Sequence, residues 1–159
     1  MIDEKLVNKL SDCLKKQKQR IATAESCTGG LLAHTLTNIS GSSVYFERGI
    51  ISYSDESKIK LLRVSEKTIK QNGAVSYETA GEMANGIRTL SKVDIGVSTT
   101  GIAGPTGGSK EKPVGLVYIG VSTSDKNMVE RFNFSGDRLE NKENTCNAAL
   151  KMLLEIFNS

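Results

Sequence analysis

The chain is poor in the residues from which the commonest catalytic and metal sites are built. Its 159 residues include one histidine, three cysteines, two prolines and no tryptophan. With His34 as the only imidazole, a Ser-His-Asp triad would have to use a residue inside an apolar helical segment, with no aspartate paired to it by motif. The cysteines (Cys13, Cys27 and Cys146) are odd in number and lack CxxC spacing. That argues against a zinc site and a disulfide framework, and makes a reduced, cytoplasmic setting the expectation. Neither a metal nor a cofactor is expected.

Other absences narrow the reading further. No apolar run approaches the ~20 residues that cross a bilayer, and the opening MIDEKLVNKL is charged and helical in pattern, unlike a secretory leader. No segment repeats at a fixed period and no low-complexity linker divides the chain, so residues 1–159 are expected to form a single domain. Aromatic residues make up 5% and the net charge is +3. The basic cluster Lys15, Lys16, Lys18 and Arg20 has no interleaved aromatics to stack bases, so nucleic acid is not an expected partner.

What is present is an alternation of helix and strand patterns. Asp3 caps a helix with the apolar stripe Leu6, Leu10, Cys13 and Leu14. A β-leaning run from Ile21 to Ala24 leads into Ser26-Cys27-Thr28-Gly29-Gly30 and a helix from Leu31 to about Ile39. The next expected elements are a strand over Val44–Tyr53, short helices over Asp55–Leu62 and Ser65–Gln71, and a helix capped by Ser76. A buried strand over Val93–Thr99 precedes a Gly/Pro-rich loop, Gly101–Pro113. Strands Leu116–Ser122 and Met128–Phe134 form a hairpin, and a last helix runs from Arg138 to about Phe157. The expected fold is α/β: one three-layer α/β/α domain with a mixed, largely parallel sheet and a C-terminal hairpin plus helix.

Polar, glycine-rich segments directly after strands are where open α/β sheets place ligands. In Glu25-Ser26-Cys27-Thr28-Gly29-Gly30 the serine sits at a strand-to-helix turn, where backbone N–H groups can hold a phosphate or an oxyanion. The same pattern also fits an ordinary capped helix start. GxxxxGK[ST] and GxSxG are both missing, so neither a P-loop nor a nucleophile elbow accounts for it. A base for Ser26 must then come from outside histidine, and Tyr53 and Lys58 are the candidates. A bend between strand and helix can bring them together, and a desolvated lysine can take a serine proton. A solvated Lys58 is the plain alternative. Cys27 is the rival nucleophile. Thr100 and Gly101 open a second polar loop, and Arg138 can present its guanidinium to a phosphate or carboxylate.

Taken together, TAESCTGG (Thr23–Gly30), SGSSVYFERGIISYSDESK (Ser40–Lys58), GAVS (Gly73–Ser76), TGIAGPTGGSKEKPVG (Thr100–Gly115) and FSGDR (Phe134–Arg138) resemble the CinA C-terminal domain family, the nicotinamide-nucleotide amidohydrolases (PncC-type deamidases). The resemblance runs in order along nearly the whole chain. It implies hydrolysis of the carboxamide of nicotinamide mononucleotide to the acid and ammonia. By the same resemblance Ser26 is the nucleophile, Tyr53 and Lys58 its partners, and Thr100 and Arg138 substrate contacts. Cys27, Thr28, Gly29, Gly30 and Gly101 would then surround the oxyanion or substrate. Larger members carry an N-terminal pyrophosphatase-like domain, and this chain resembles the stand-alone form. A small nucleotide substrate and a homo-oligomer are the expected partners, with no membrane. Two other readings stand beside it: a non-catalytic nucleotide- or partner-binding module, and a reductase with a Ser-Tyr-Lys site. The reductase is disfavoured by the five-residue Tyr-Lys spacing and by SCTGG in place of a dinucleotide loop.

Overall fold

The computed structural model describes residues 1–158. The expected range 1–159 ends on Ser159, which lies outside them. In chain order the elements are α1 (Glu4–Lys16), β1 (Ile21–Glu25), α2 (Leu31–Thr37), a 3-10 turn (Ser42–Val44), β2 (Phe46–Ile51), α3 (Asp55–Leu62), α4 (Glu66–Asn72), α5 (Tyr77–Ser91), β3 (Ile95–Gly101), β4 (Leu116–Ser122), β5 (Asn127–Asn133) and α6 (Arg138–Ile156).

The five strands form one sheet in the order β2-β1-β3-β4-β5. The β1–β2 and β1–β3 pairings are parallel, while β3–β4 and β4–β5 are antiparallel. The sheet is therefore mixed, with only β4 running against the other four strands. Side chains alternate across it as the pleat requires. Ile21, Ile95, Val97, Val117, Ile119 and Val121 point to the face covered by α1, α2 and α6, where they pack on Leu10, Leu14, Leu32, Leu36 and Leu150. Ala22 and Ala24 point to the other face and pack on Leu62, Met83 and Ile87 of α3 and α5.

The α5 helix lies close on β3 and β4, and the sequence permits this through glycine. A Cβ at Gly96 would stand 2.2 Å from the Ala84 carbonyl oxygen, and one at Gly120 2.4 Å from that of Ala80. The Ser98 hydroxyl donates to the same Ala80 oxygen at 2.6 Å, tying helix to sheet.

Several boundaries depart from the sequence reading; β2 ends at Ile51, so Ser52 and Tyr53 lie beyond the strand expected to reach Tyr53. Val44 and Tyr45 precede the second strand instead of beginning it, because Tyr45 is buried and its hydroxyl donates to the Leu36 carbonyl, closing the loop after α2. The third strand starts at Ile95 and not at Val93, since Lys92 takes a left-handed conformation (φ 53°) and Val93 N–H returns to the Arg88 carbonyl. Thr100 and Gly101 consequently belong to β3, paired with Tyr118 and Val117, and not to the loop that follows.

Candidate active site

The connection from β1 to β2 runs through α2 on one face of the sheet, and the one from β2 to β3 through α3, α4 and α5 toward the other. The chain thus reverses direction around β1, and the crevice beyond the C-terminal ends of β1, β2 and β3 is where such sheets place ligands. Ser26 follows β1, Ser52 and Tyr53 follow β2, and Thr99 to Gly101 end β3. The segment after β5 carries Arg138 to the same edge. A cleft of about 190 Å³ opens there, lined among others by Ser26, Tyr53, Lys58, Thr100, Gly101 and Arg138.

Ser26 is held by its backbone, with its N–H donating to the Thr99 carbonyl at 2.9 Å and its carbonyl accepting from Gly29 at 3.1 Å. The chain then turns sharply, with φ +60° at Gly29 and +102° at Gly30, a region that favours glycine. Gly30 also lies against Ile51, where a Cβ would come within 3.1 Å of the side chain. The amides of Leu32 and Ala33 are taken by the Glu25 carboxylate.

Lys58 sits in the first turn of α3, whose N-cap is Ser54. It is not a solvated helix residue: only 1% of its surface is exposed. Its Nζ lies 3.1 Å from Ser26 Oγ, 2.9 Å from the Ser52 carbonyl and 3.3 Å from the Tyr53 carbonyl. Burial pulls its pKa below the usual 10.5, and the negative charge of Asp55 partly offsets this. The geometry suits a neutral amine. Two N–H groups can go to the two carbonyls while the lone pair faces the serine hydroxyl.

The two partners sought for Ser26 are placed differently. The backbone carbonyl of Tyr53 accepts from Lys58, but its ring is 61% exposed and its hydroxyl accepts from Arg138 Nη2 at 3.0 Å. Arg138 Nη1 donates to the Gly104 carbonyl at 2.6 Å, so the guanidinium bridges the loop after β3 and the rim tyrosine. Thr100 is buried, with its hydroxyl donating to the Ala74 carbonyl at 2.8 Å. His34 is exposed on α2.

Cys27 borders the same cleft. Its side chain packs in the core under α1, α2 and α6, and burial pushes the thiol up to about 12. A group so resistant to ionisation is a poor nucleophile at neutral pH. Cys146 is likewise buried in that core, where desolvation pushes its pKa upward, and Cys13 is packed against it. The carbonyl oxygens of Ser52 and Tyr53 that orient Lys58, and the Thr99 carbonyl that holds Ser26, left no mark in the sequence, since a backbone atom carries no residue signature.

The model of the CinA C-terminal domain family matches residues 3–157. A CinA-like protein of Chloroherpeton thalassium is 51% identical over 161 residues, covering 99% of this chain and 38% of that protein. A CinA-like protein of Endomicrobium trichonymphae is 51% identical over 140 residues, covering 88% of this chain and 33% of that one. The chain therefore spans about a third of the length of these curated relatives. Among solved structures, the competence/damage inducible protein CihA from Agrobacterium tumefaciens superposes with a TM-score of 0.94 at 37% identity, covering 98% of this chain and 97% of that one. The competence or damage-inducible protein from Enterobacter asburiae gives 0.94 at 32% identity, with 98% of each chain covered. With matched sequence, matched fold and the serine turn inside the matched region, the chain belongs to the CinA C-terminal domain family.

Proposed function

We propose that the chain is a serine amidohydrolase acting on the carboxamide of a pyridine nucleotide, nicotinamide mononucleotide first among them. The observation that carries this reading is the buried Lys58 amine 3.1 Å from Ser26 Oγ, with its other two contacts on carbonyl oxygens. A lysine so placed serves as a general base for a serine, which has no usable base in histidine here.

In the proposed reaction Lys58 takes the Ser26 proton as Oγ attacks the carboxamide carbon. The developing oxyanion is received by the amides of Cys27 and Thr28. Lys58 then returns the proton to the departing NH2 group, which leaves as ammonia, and an acyl-serine remains. Water enters, gives its proton to Lys58 and attacks the acyl carbon; Ser26 leaves with that proton and the acid is released. Arg138 supplies positive charge for the nucleotide phosphate at the rim, and the exposed Tyr53 ring offers a face for the pyridine. Binding at these distant points holds the carboxamide in a near-attack position.

Ammonia release from nicotinamide mononucleotide tests the reading. Ser26→Ala is expected to lower the rate by at least roughly 10⁴-fold, while Cys27→Ala stays active. Activity that survives in Ser26→Ala and disappears in Cys27→Ala would transfer the nucleophile to Cys27. Absence of release at high enzyme concentration, with the nucleotide still bound, would make the chain a binding module.

A further inference from the structure

The Glu25 side chain is 1% exposed, lies directly before the nucleophile and takes no part in the proton transfers above. A buried carboxylate is costly unless its oxygens are matched by donors, and here both are. Oε1 accepts from the Thr28 hydroxyl at 2.6 Å and from Leu32 N–H at 2.8 Å. Oε2 accepts from Ala33 N–H at 2.9 Å and from the Thr23 hydroxyl at 3.4 Å. Thr28 in turn pairs with the Thr99 hydroxyl at 2.7 Å, across to the strand whose Thr99 carbonyl holds Ser26 N–H. With the single Thr28 proton spent on Glu25, Thr99 is the donor in that pair.

The backbone of the same residue reaches the base. The Glu25 carbonyl accepts from Ser52 N–H at 2.8 Å, and the Ser52 carbonyl accepts from Lys58 Nζ at 2.9 Å. Nucleophile and base are thus both referred to one residue. We infer that Glu25 is the positioning residue of this site, its carboxylate clamping Thr28 and the start of α2 so that the Ser26 turn is held against Lys58. The inference rests on the Ser26–Lys58 reading given above. It differs from plain helix capping because the clamp reaches the turn itself through Thr28, and because an amide in place of the carboxylate cannot satisfy the site. Whichever way a glutamine is turned, its NH2 group meets a backbone N–H of Leu32 or Ala33.

The experiment measures Ser26 labelling by a fluorophosphonate alongside kcat and KM for ammonia release, with thermal melting to confirm that each variant is folded. Glu25→Gln, and Thr28→Val as a milder lesion that keeps the carboxylate, are each expected to slow labelling and kcat by roughly 10- to 100-fold, the scale of an ångström-level misplacement, with KM little changed. Thr28→Ser, which keeps the hydroxyl, is expected to restore most of the rate. If Glu25→Gln does not fold, the Thr28 pair decides. Folded variants that label and turn over at the wild-type rate would reduce Glu25 to a helix cap and overturn the inference. Wild-type protein that labels at Ser26 but releases no ammonia would sink the amidohydrolase reading alone, since the labelling rates of the variants still report on the clamp. Wild-type protein that fails to label would sink both.

Discussion

At the scale of single residues, the site is a problem of how a lysine is kept able to accept a proton. Burial disfavours the ammonium form of Lys58, while Asp55 at the cleft favours it. The rate of ammonia release is therefore expected to rise with pH along a limb lying below the ordinary lysine value of 10.5. Replacing Asp55 by Asn removes a nearby negative charge and is expected to move that limb to lower pH. A pH–kcat/KM profile measures this, and a limb that stays in place or moves upward would contradict the assignment of Lys58 as base. Ser26, Cys27, Tyr53 and Lys58 were all legible as candidates from residue type and spacing. What separated them was burial and direction. Cys27 turns into the core, Tyr53 directs its hydroxyl to Arg138, and Lys58 alone turns its polar end onto Ser26.

At the scale of elements, the placement of Arg138 depends on how α6 begins. Asp137 caps this helix by accepting from Glu140 N–H at 2.9 Å, and the Glu140 carboxylate accepts from Asp137 N–H at 2.8 Å, a reciprocal capping box. Asp137→Ala is expected to cost about 1 kcal/mol, a lowering of roughly 2–4 °C in Tm for a chain of this size. Because Arg138 is the first helical residue, the same change is expected to raise KM for the nucleotide more than it lowers kcat. Thermal melting and steady-state kinetics check the two halves separately. Asp137 is a cap candidate by residue type, while its pairing with Glu140 is seen in the structure. That Arg138 would fall within reach of Gly104 and Tyr53 was not readable in the sequence, since those contacts join segments 34 and 85 positions apart.

For the whole molecule, the site carries a stability cost that depends on pH. Folding lowers the Lys58 pKa, so between that lowered value and 10.5 the unfolded chain holds more protons than the folded one. The cost is full below the folded pKa, shrinks as pH rises through the window and is gone above 10.5. A Lys58→Met variant lacks this dependence. Its Tm relative to the wild type is therefore expected to fall as pH is raised through that window toward 10.5. A difference that stays flat across the range would place the folded and unfolded pKa values together. None of the helices among the described residues is long and apolar enough to cross a membrane. Buried apolar side chains gather instead into three clusters, one of them formed by Ala80, Leu116 and Tyr118 where α5 meets β4.

By itself the sequence determined the alternation of elements, the helix caps and the serine turn, because these follow from local periodicity, from short-range hydrogen bonding and from glycine conformation. The start of β3 was misjudged by two residues, since a left-handed Lys92 carries no obvious signal without glycine. Only the tertiary structure decided what the turn faces. Whether a lysine is a solvated surface cation or a buried amine against a serine depends on what surrounds it. Those surroundings are Ser26, Ser52 and Tyr53, brought to one point by the parallel pairing of β1 and β2 and the bend into α3.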